Sequence, residues 1–599
     1  MEPASAAAPA AADNYRRLIE IGIALSAERH HARLMEMILL EAKRLCNADG
    51  GTLYLMSDDN RLKFELMHTD SLGIALGGTT GKEIPFPPLR LYDDQGQPNH
   101  KNVATHVALS GKAVNIPDAY QARDFDFSGT KKFDQGTGFR STSFLTVPLK
   151  NHEGDVIGVL QLLNAQEAAS GKVIPFGASI QPLIEALASQ AAVALDNQNL
   201  IAAQRRLLDS FIELIASAID AKSPYTGGHC QRVPELTKML VRAACDAKEG
   251  PFAEFDLTED QWYELHIAAW LHDCGKVTTP EYVVDKATKL ETIYDRLHEV
   301  RMRFEVVKRD AEIAYLKARL DGGDPVRLKA EFEARLKEID GDFAFVAECN
   351  EGGEFMAPDK IERIKRIAAT TWLRTLDDRI GLSYDEAKRK ARTPQKPLPA
   401  VEPLLADRDD HIIEREPSDQ LRPDNKWGFK LAVPKHKYNL GEVYNLCIGR
   451  GTLNEEERYK INYHIVQTIV MLEQLPFPKQ LRKVPEIAGG HHEKMDGTGY
   501  PKRLEKAQMS IPARVMAIAD IFEALTASDR PYKKAKTLSE SLKIMSFMNK
   551  DKHIDPDLFR LFLTAGIYRE YAEKFLDPAQ IDEVDIAKFL PPEESRAAE

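Results

Sequence analysis

The chain has 599 residues, 43% of them apolar, which is enough for several hydrophobic cores and a prior of roughly four domains. A net charge of −12 excludes whole-surface affinity for a nucleic acid polymer or an anionic membrane, so a polyanionic ligand must find a local positive site. Six scattered cysteines without a C-x-x-C pair exclude a disulfide framework and a structural zinc module. No apolar run reaches the about eighteen residues of a membrane span and no signal-peptide pattern opens the chain, so a soluble, cytoplasmic protein is expected.

Residues 1–13 are rich in alanine and proline without an amphipathic pattern and read as a disordered tail. From 14 to 198, helical segments flank short β-runs such as GGTLYLMS (50–57) and SFLTVPLKNHEGDVIGVLQLLNA (143–165). In the latter, Asn151 to Asp155 supply turn chemistry between two apolar stretches, which predicts a hairpin. The segment is expected to be an α+β module with an antiparallel sheet and flanking helices. Through the hairpin from Val147 to Asn164 and the helices around it, the segment resembles a GAF domain.

Residues 199–222 continue as a long helix in which Leu200, Leu207, Phe211 and Leu214 follow the alternating steps of a coiled coil, interrupted by Gln204. Two readings stand: a parallel dimer linker, hence a homodimer through the sensor module and this helix, or a helix packed on its own domain. From 223 onward the pattern is almost all helical. A stretch at 291–450 differs: its first part is dense in alternating charge with a thin apolar stripe, as in a solvated helical hairpin, and its second part is proline-rich, more loop than core. It reads as a large, mostly helical insertion splitting an all-α domain into 223–290 and 451–590, ahead of a tail at 591–599.

Three segments carry chemistry. Leu271-His272-Asp273-Cys274-Gly275-Lys276 ends an apolar helix, where an imidazole, a carboxylate and an ammonium all need partners away from water. A metal-bound phosphate supplies them; a helix-joining His-Asp pair is the alternative. In Gly490-His491-His492-Glu493-Lys494-Met495-Asp496-Gly497-Thr498-Gly499-Tyr500-Pro501, adjacent histidines point about 100° apart on a helix, which suits two neighbouring metals. Asp520 sits in the apolar helix VMAIADIFEAL, so its carboxylate must be coordinated or paired, for example with Arg514. His229 and His464, each on its own an ordinary core or surface histidine, complete the inventory of His229, His272, Asp273, His464, His491, His492 and Asp520. That mixed imidazole and carboxylate set suits two divalent transition metals, with iron or manganese favoured and nickel, cobalt or zinc next, rather than magnesium.

H-D-x-G-K at 272–276 and H-H-E-x-x-D-G-x-G-Y-P at 491–501 resemble the two signatures of the HD-GYP family of HD-domain phosphohydrolases. The likeness extends to Asp520–Thr526, to Asp529-Arg530-Pro531-Tyr532-Lys533 and to Tyr225-Thr226-Gly227-Gly228-His229. Gly451 to Glu457 resembles the family's Gly-Lys-Leu-Thr segment, and the spacing from it selects His464 over His298 as a ligand. Tyr225 stands where trimetal relatives carry a glutamate, which implies two metals here.

The resemblance implies hydrolysis of cyclic di-GMP, a bacterial second messenger, to linear pGpG, with GMP the alternative end product. Asp273 is the natural bridging ligand, because a carboxylate has two oxygens to share. Lys276 would face the phosphate as charge builds in the transition state. Arg530, Lys533 and Tyr500 are expected to bind substrate, with ordinary surface charge the alternative for the first two. In the sensor module, Lys132, Phe133 and Asp134 are similar to the loop of cyclic-nucleotide-binding GAF domains, where a lysine–aspartate ion pair covers the pocket. This implies a cyclic nucleotide there, against a purely structural role. Two other functions stay open: a noncatalytic cyclic di-GMP receptor, and a phosphohydrolase of another nucleotide.

Overall fold

The computed structural model describes residues 7–222, 228–353, 355–527 and 535–590. Two compact units divide at Leu208, inside one 42-residue helix.

The first unit opens with α1 (Ala7–Ala27) and α2 (His31–Cys46). Of the tail expected over 1–13, residues 1–6 lie outside the described residues, and 7–13 belong to α1: alanine is the best helix former and Pro9 falls in the first turn, where its missing N–H is not needed. Strands β1 (Ala48–Met56), β2 (Arg61–Thr69), β3 (Ile74–Gly77) and β4 (Leu89–Arg90) follow. Then come α3 (Val103–Ser110), β5 (Val114–Ile116), α4 (Ser128–Thr137), β6 (Phe144–Lys150), β7 (Val156–Gln166), β8 (Val173–Ile174) and α5 (Gln181–Lys222). The antiparallel sheet runs β3-β2-β1-β7-β6-β5, with β4 beside β2 and β8 beside β7. The hairpin forms as the turn residues predict: Asn151 Oδ1 accepts from the amides of Glu153 and Asp155, and Gly154 takes the left-handed conformation. Alternation along the strands sends Leu145, Val147, Leu160 and Leu162 against α1, α2 and α5, while Tyr54 and Val159 face α3.

Along α5, Leu200, Leu207, Phe211 and Leu214 are 48–64% exposed, while Ile184, Leu187, Ala191 and Leu195 are buried. The seam residues therefore do not pack on their own domain. Tyr15, Ile19 and Ile23 of α1 form a second exposed apolar stripe at four-residue spacing.

The second unit holds α6 (His229–Asp246), α7 (Glu259–Leu271) and α8 (Glu281–Val284). The inserted stretch carries α9 (Leu297–Leu320), α10 (Pro325–Glu351), α11 (Pro358–Ala368), β9 (Thr371–Arg374), α12 (Tyr384–Lys390), β10 (Ala400–Pro403), β11 (Ile412–Glu414), β12 (His436–Asn439) and α13 (Glu442–Leu446). The helical set resumes with α14 (Glu455–Glu473), α15 (Val484–Gly489), α16 (Ile511–Thr526), α17 (Leu538–Lys550), α18 (Pro556–Thr564) and α19 (Ile567–Phe575). Leu236, Leu240, Ile267, Ile518, Phe522, Phe559, Phe562 and Tyr571 form its core.

The helices α9 and α10 make the expected charged hairpin, crossed by Lys308–Asp340 at 2.8 Å. The proline-rich part holds more order than its pattern suggested. It contributes β10 and β11 to two small antiparallel sheets whose partners, β9 and β12, lie outside it, and Leu404 and Leu405 join a core with Phe304, Val346 and Ile364. The insertion is anchored to the helical domain: Phe429 packs on Val466 and Ile469 of α14, and the Lys430 amide donates to the Pro501 carbonyl at 2.7 Å, while buried Lys286 and Glu457 pair at 2.7 Å across the two flanks of the insertion.

Candidate metal centre

Five chain segments deliver side chains to one point. His229 is the first residue of α6, His272 and Asp273 follow the last turn of α7, His464 lies mid-α14, His491 and His492 follow α15, and Asp520 projects from α16. Close approach of the His272–Lys276 turn to α14 requires glycine: a Cβ on Gly275 would stand 1.9 Å from the His464 carbonyl oxygen. The Gly275 amide donates to Thr468 Oγ1 at 2.9 Å, which locks the two segments together.

The seven residues form two groups of ligand atoms, His229, His272, Asp273 and Asp520 in one and His464, His491 and His492 in the other. Asp273 spans both. Its Oδ2 lies 3.2 Å from Nε2 of His229 and of His272, and its Oδ1 lies 3.1 Å from Nε2 of His464 and 4.0 Å from Nε2 of His491. Asp520 Oδ1 is 3.4 Å from His229 Nε2. The alternative pairing of Asp520 with Arg514 is not formed; Arg514 pairs instead with Asp555.

The outward faces of the imidazoles orient the inward ones. His272, His464 and His491 each face the carbonyl three residues earlier with Nδ1, at 2.8, 2.6 and 2.7 Å. A carbonyl only accepts, so Nδ1 carries the proton and Nε2 turns a lone pair inward. Among the described residues, Nε2 of His272, Nε2 of His491 and Oδ1 of Asp273 are buried without a hydrogen-bond partner, a costly state that cations would relieve. Nε2 of His464 and of His492 stand 3.2 Å apart, lone pairs converging as ligands of a shared cation would. The residues present fit a pair of metal ions.

Charge effects agree. Burial alone would raise the Asp273 carboxyl, but the Lys276 ammonium and the His272 imidazole hold it well below the usual range. Burial, then His272, brings His491 down to about 4, and burial with His491 brings His492 well down, so both are neutral donors. His229 differs: burial lowers it, but its hydrogen bonds to Asp273 and Glu523 carry it up to about 9. Lys276 hydrogen-bonds Asp273.

A family model described as "HD domain" matches residues 399–558, and one described as "GAF domain" matches 30–195. The chain carries a GAF domain and an HD domain. The HD match takes in His464, His491, His492 and Asp520, while His229, His272 and Asp273 lie ahead of it, beyond most of the insertion. Over 143 residues the chain is 39% identical to 3′3′-cGAMP-specific phosphodiesterase 1 of Vibrio cholerae, covering 22% of this chain and 32% of the relative. Over 86 residues it is 45% identical to a cyclic di-GMP phosphodiesterase of Pseudomonas aeruginosa, covering 14% and 20%. A third, 3′3′-cGAMP-specific phosphodiesterase 3 of Vibrio cholerae, is 39% identical over 137 residues, covering 23% and 28%. The chain thus spans a fifth to a third of the length of these curated relatives.

Within the HD domain, Tyr500 stacks on His492 with ring centroids 4.9 Å apart and lines, with His491, His492 and Asp520, a cleft of about 360 Å³. His298 is remote from the cluster, exposed and bonded to Arg301. Arg530, Lys533 and Tyr225 lie outside the described residues. Sequence reasoning missed the role of Glu523: it is 1% exposed, and its Oε2 lies 2.5 Å from His229 Nδ1. The available signal was a second carboxylate in the apolar helix, one turn after Asp520. Glu493, inside the second signature, binds no ligand group; it accepts from the amides of Lys502 and Leu504 and so ties the Gly-Tyr-Pro turn in place.

In the GAF domain the ion pair expected between Lys132 and Asp134 is not formed. Asp134 is buried and accepts from Tyr120 Oη, Ser141 N and Ser141 Oγ, while Lys132 is exposed. The carboxylate is consumed by anchoring α4 to the start of β6. Phe133 instead closes an aromatic row, Tyr54–Phe64–Phe86–Phe133, with centroid separations of 4.7, 5.6 and 6.3 Å. No helix of the described residues is long and apolar enough to cross a membrane.

Proposed function

We propose that the HD domain is a metal-dependent phosphodiesterase acting on a cyclic dinucleotide, cyclic di-GMP first, with pGpG and then GMP as products. The observation that carries this reading is the Asp273 carboxylate, with one oxygen directed to each group of ligand atoms. Two metals, iron or manganese by the histidine-rich donor set, would be held by His229, His272, Asp273 and Asp520 on one side and by Asp273, His464, His491 and His492 on the other. When bound, such a pair supplies Lewis acidity to a phosphodiester and to water. Lys276, beside Asp273, orients that carboxylate and adds positive charge where the phosphate gains negative charge. Tyr500 walls the cleft with a ring suited to a base or ribose face. Arg530 and Lys533 are the proposed phosphate contacts of the segment after α16.

A receptor without catalysis is disfavoured, because binding alone has no use for seven converging ligands. The 3′3′-cGAMP specificity in the names of two relatives makes that mixed dinucleotide the second substrate to assay. For the GAF domain we propose ligand control, with a cyclic nucleotide against the aromatic row, and self-association through the exposed stripes of α1 and α5, giving a homodimer. A cytoplasmic location goes with this substrate. The deciding experiment is metal analysis of anaerobically purified protein coupled to turnover of cyclic di-GMP and 3′3′-cGAMP. Two equivalents of metal with turnover are expected; a metal-loaded protein that leaves both intact overturns the enzymatic reading.

A further inference from the structure

Besides His491, His492 and Asp520, the cleft of the HD domain has a second set of polar side chains. It is built by Lys494, Lys536 and His553, and the apolar side chains of Ile521, Leu525 and Met548 line the same cleft. The three polar groups come from separate segments, each fixed by backbone bonds. Lys494 follows the paired histidines, and the next amide, Met495 N, donates to Lys552 O at 2.9 Å, which brings the loop of His553 alongside. The His553 amide donates to Met548 O at 2.8 Å. The Lys536 carbonyl accepts from Gln580 Nε2 at 3.0 Å.

Among the described residues neither lysine has a carboxylate within ion-pair distance, although acidic residues outnumber basic ones in this chain. Two ammonium groups lining one cleft, with Asp496 the carboxylate whose charge acts on Lys494, make that part of the cleft favourable for an anion. Burial lowers the His553 imidazole, with the Lys494 charge adding and Asp496 and Asp551 opposing, and in either charge state the ring offers an N–H donor. A phosphate held at His491, His492 and Asp520 leaves the two lysines of the same cleft to a further anionic group, which a ligand with two phosphates separated by a sugar carries.

We propose that Lys494 and Lys536, aided by His553, form a subsite for the second phosphodiester of a cyclic dinucleotide, and that this subsite selects such a ligand over diesters with a single phosphate. The inference rests on the phosphodiesterase reading and specifies its substrate class. It assigns the two lysines to binding, so their loss falls on KM, whereas loss of a metal ligand falls on kcat.

The test compares wild type with Lys494→Ala, Lys536→Ala and Lys494→Arg in two measurements: steady-state kinetics with cyclic di-GMP and bis(p-nitrophenyl) phosphate, and equilibrium binding of cyclic di-GMP. Each alanine variant should lower the ratio of kcat/KM for cyclic di-GMP to that for the single-phosphate diester by about tenfold or more, through KM, with Lys494→Arg recovering most of it. A ratio within about twofold of wild type in both alanine variants overturns the subsite. If wild type binds cyclic di-GMP without hydrolysing it, and the alanine variants bind about tenfold more weakly, the subsite stands and the hydrolytic reading fails. If wild type does not bind it, the subsite is overturned.

Discussion

The Nδ1 of His229 faces Oε2 of Glu523 at 2.5 Å, and the other carboxylate oxygen of Glu523 is held by Arg232 at 2.7 Å. A buried glutamate therefore fixes the ring of one proposed ligand so that Nε2 points at Asp273 and Asp520. Such partners set ring orientation and ligand basicity. Glu523→Gln should lower metal affinity by roughly 10–100-fold with helix content retained. Metal content after dialysis against graded chelator checks this, and wild-type retention would reduce Glu523 to a packing role.

Asp273→Asn keeps the shape of the side chain but removes the charge shared by the two ligand groups. Phosphodiesterase activity should fall by at least about a thousandfold, with circular dichroism unchanged. A folded variant with full turnover would sink the assignment.

Lys276→Met separates charge from coordination. If the ammonium acts on the phosphate, turnover drops by roughly 10²–10³ while metal content stays near wild type. Parallel loss of metal in elemental analysis would instead make Lys276 a residue that only positions Asp273.

Gly275→Ala tests the packing that brings the first signature onto α14. The added methyl meets backbone, the His464 carbonyl at 1.9 Å and the Thr468 amide at 2.5 Å, neither of which can turn aside as a side-chain tip does. A destabilisation of at least about 2 kcal/mol is expected in urea unfolding, with weakened metal retention.

The insertion carries its own pH dependence. His411 is buried, its Nδ1 accepts from the Arg408 amide at 3.4 Å, and burial followed by the Arg408 charge brings its pKa down to about 4, with Arg296 acting in the same direction and Glu442 and Asp410 opposing. Between the ordinary histidine value of about 6.5 and that of the folded state, the unfolded chain binds the extra proton. Stability should therefore fall as pH drops from 6.5 towards 4, by roughly 1–3 kcal/mol from this group. His411→Asn should flatten that part of the curve in denaturant titrations at fixed pH; an unchanged slope would remove the contribution.

Local chemistry made much of this protein legible in one dimension. The hairpin around Asn151 follows from residues that are their own turn formers, and the α9–α10 hairpin from its charge period. His272-Asp273 and His491-His492 stand out because adjacent polar groups at the ends of apolar runs need partners there. Distance along the chain hid the rest. Whether Asp520 met Arg514 or metal ligands, and whether Asp134 met Lys132 or Ser141, each depended on contacts between segments whose separation no local pattern encodes. Buried charges are satisfied by whichever partner the packed helices bring within reach, and only the assembled core makes that choice.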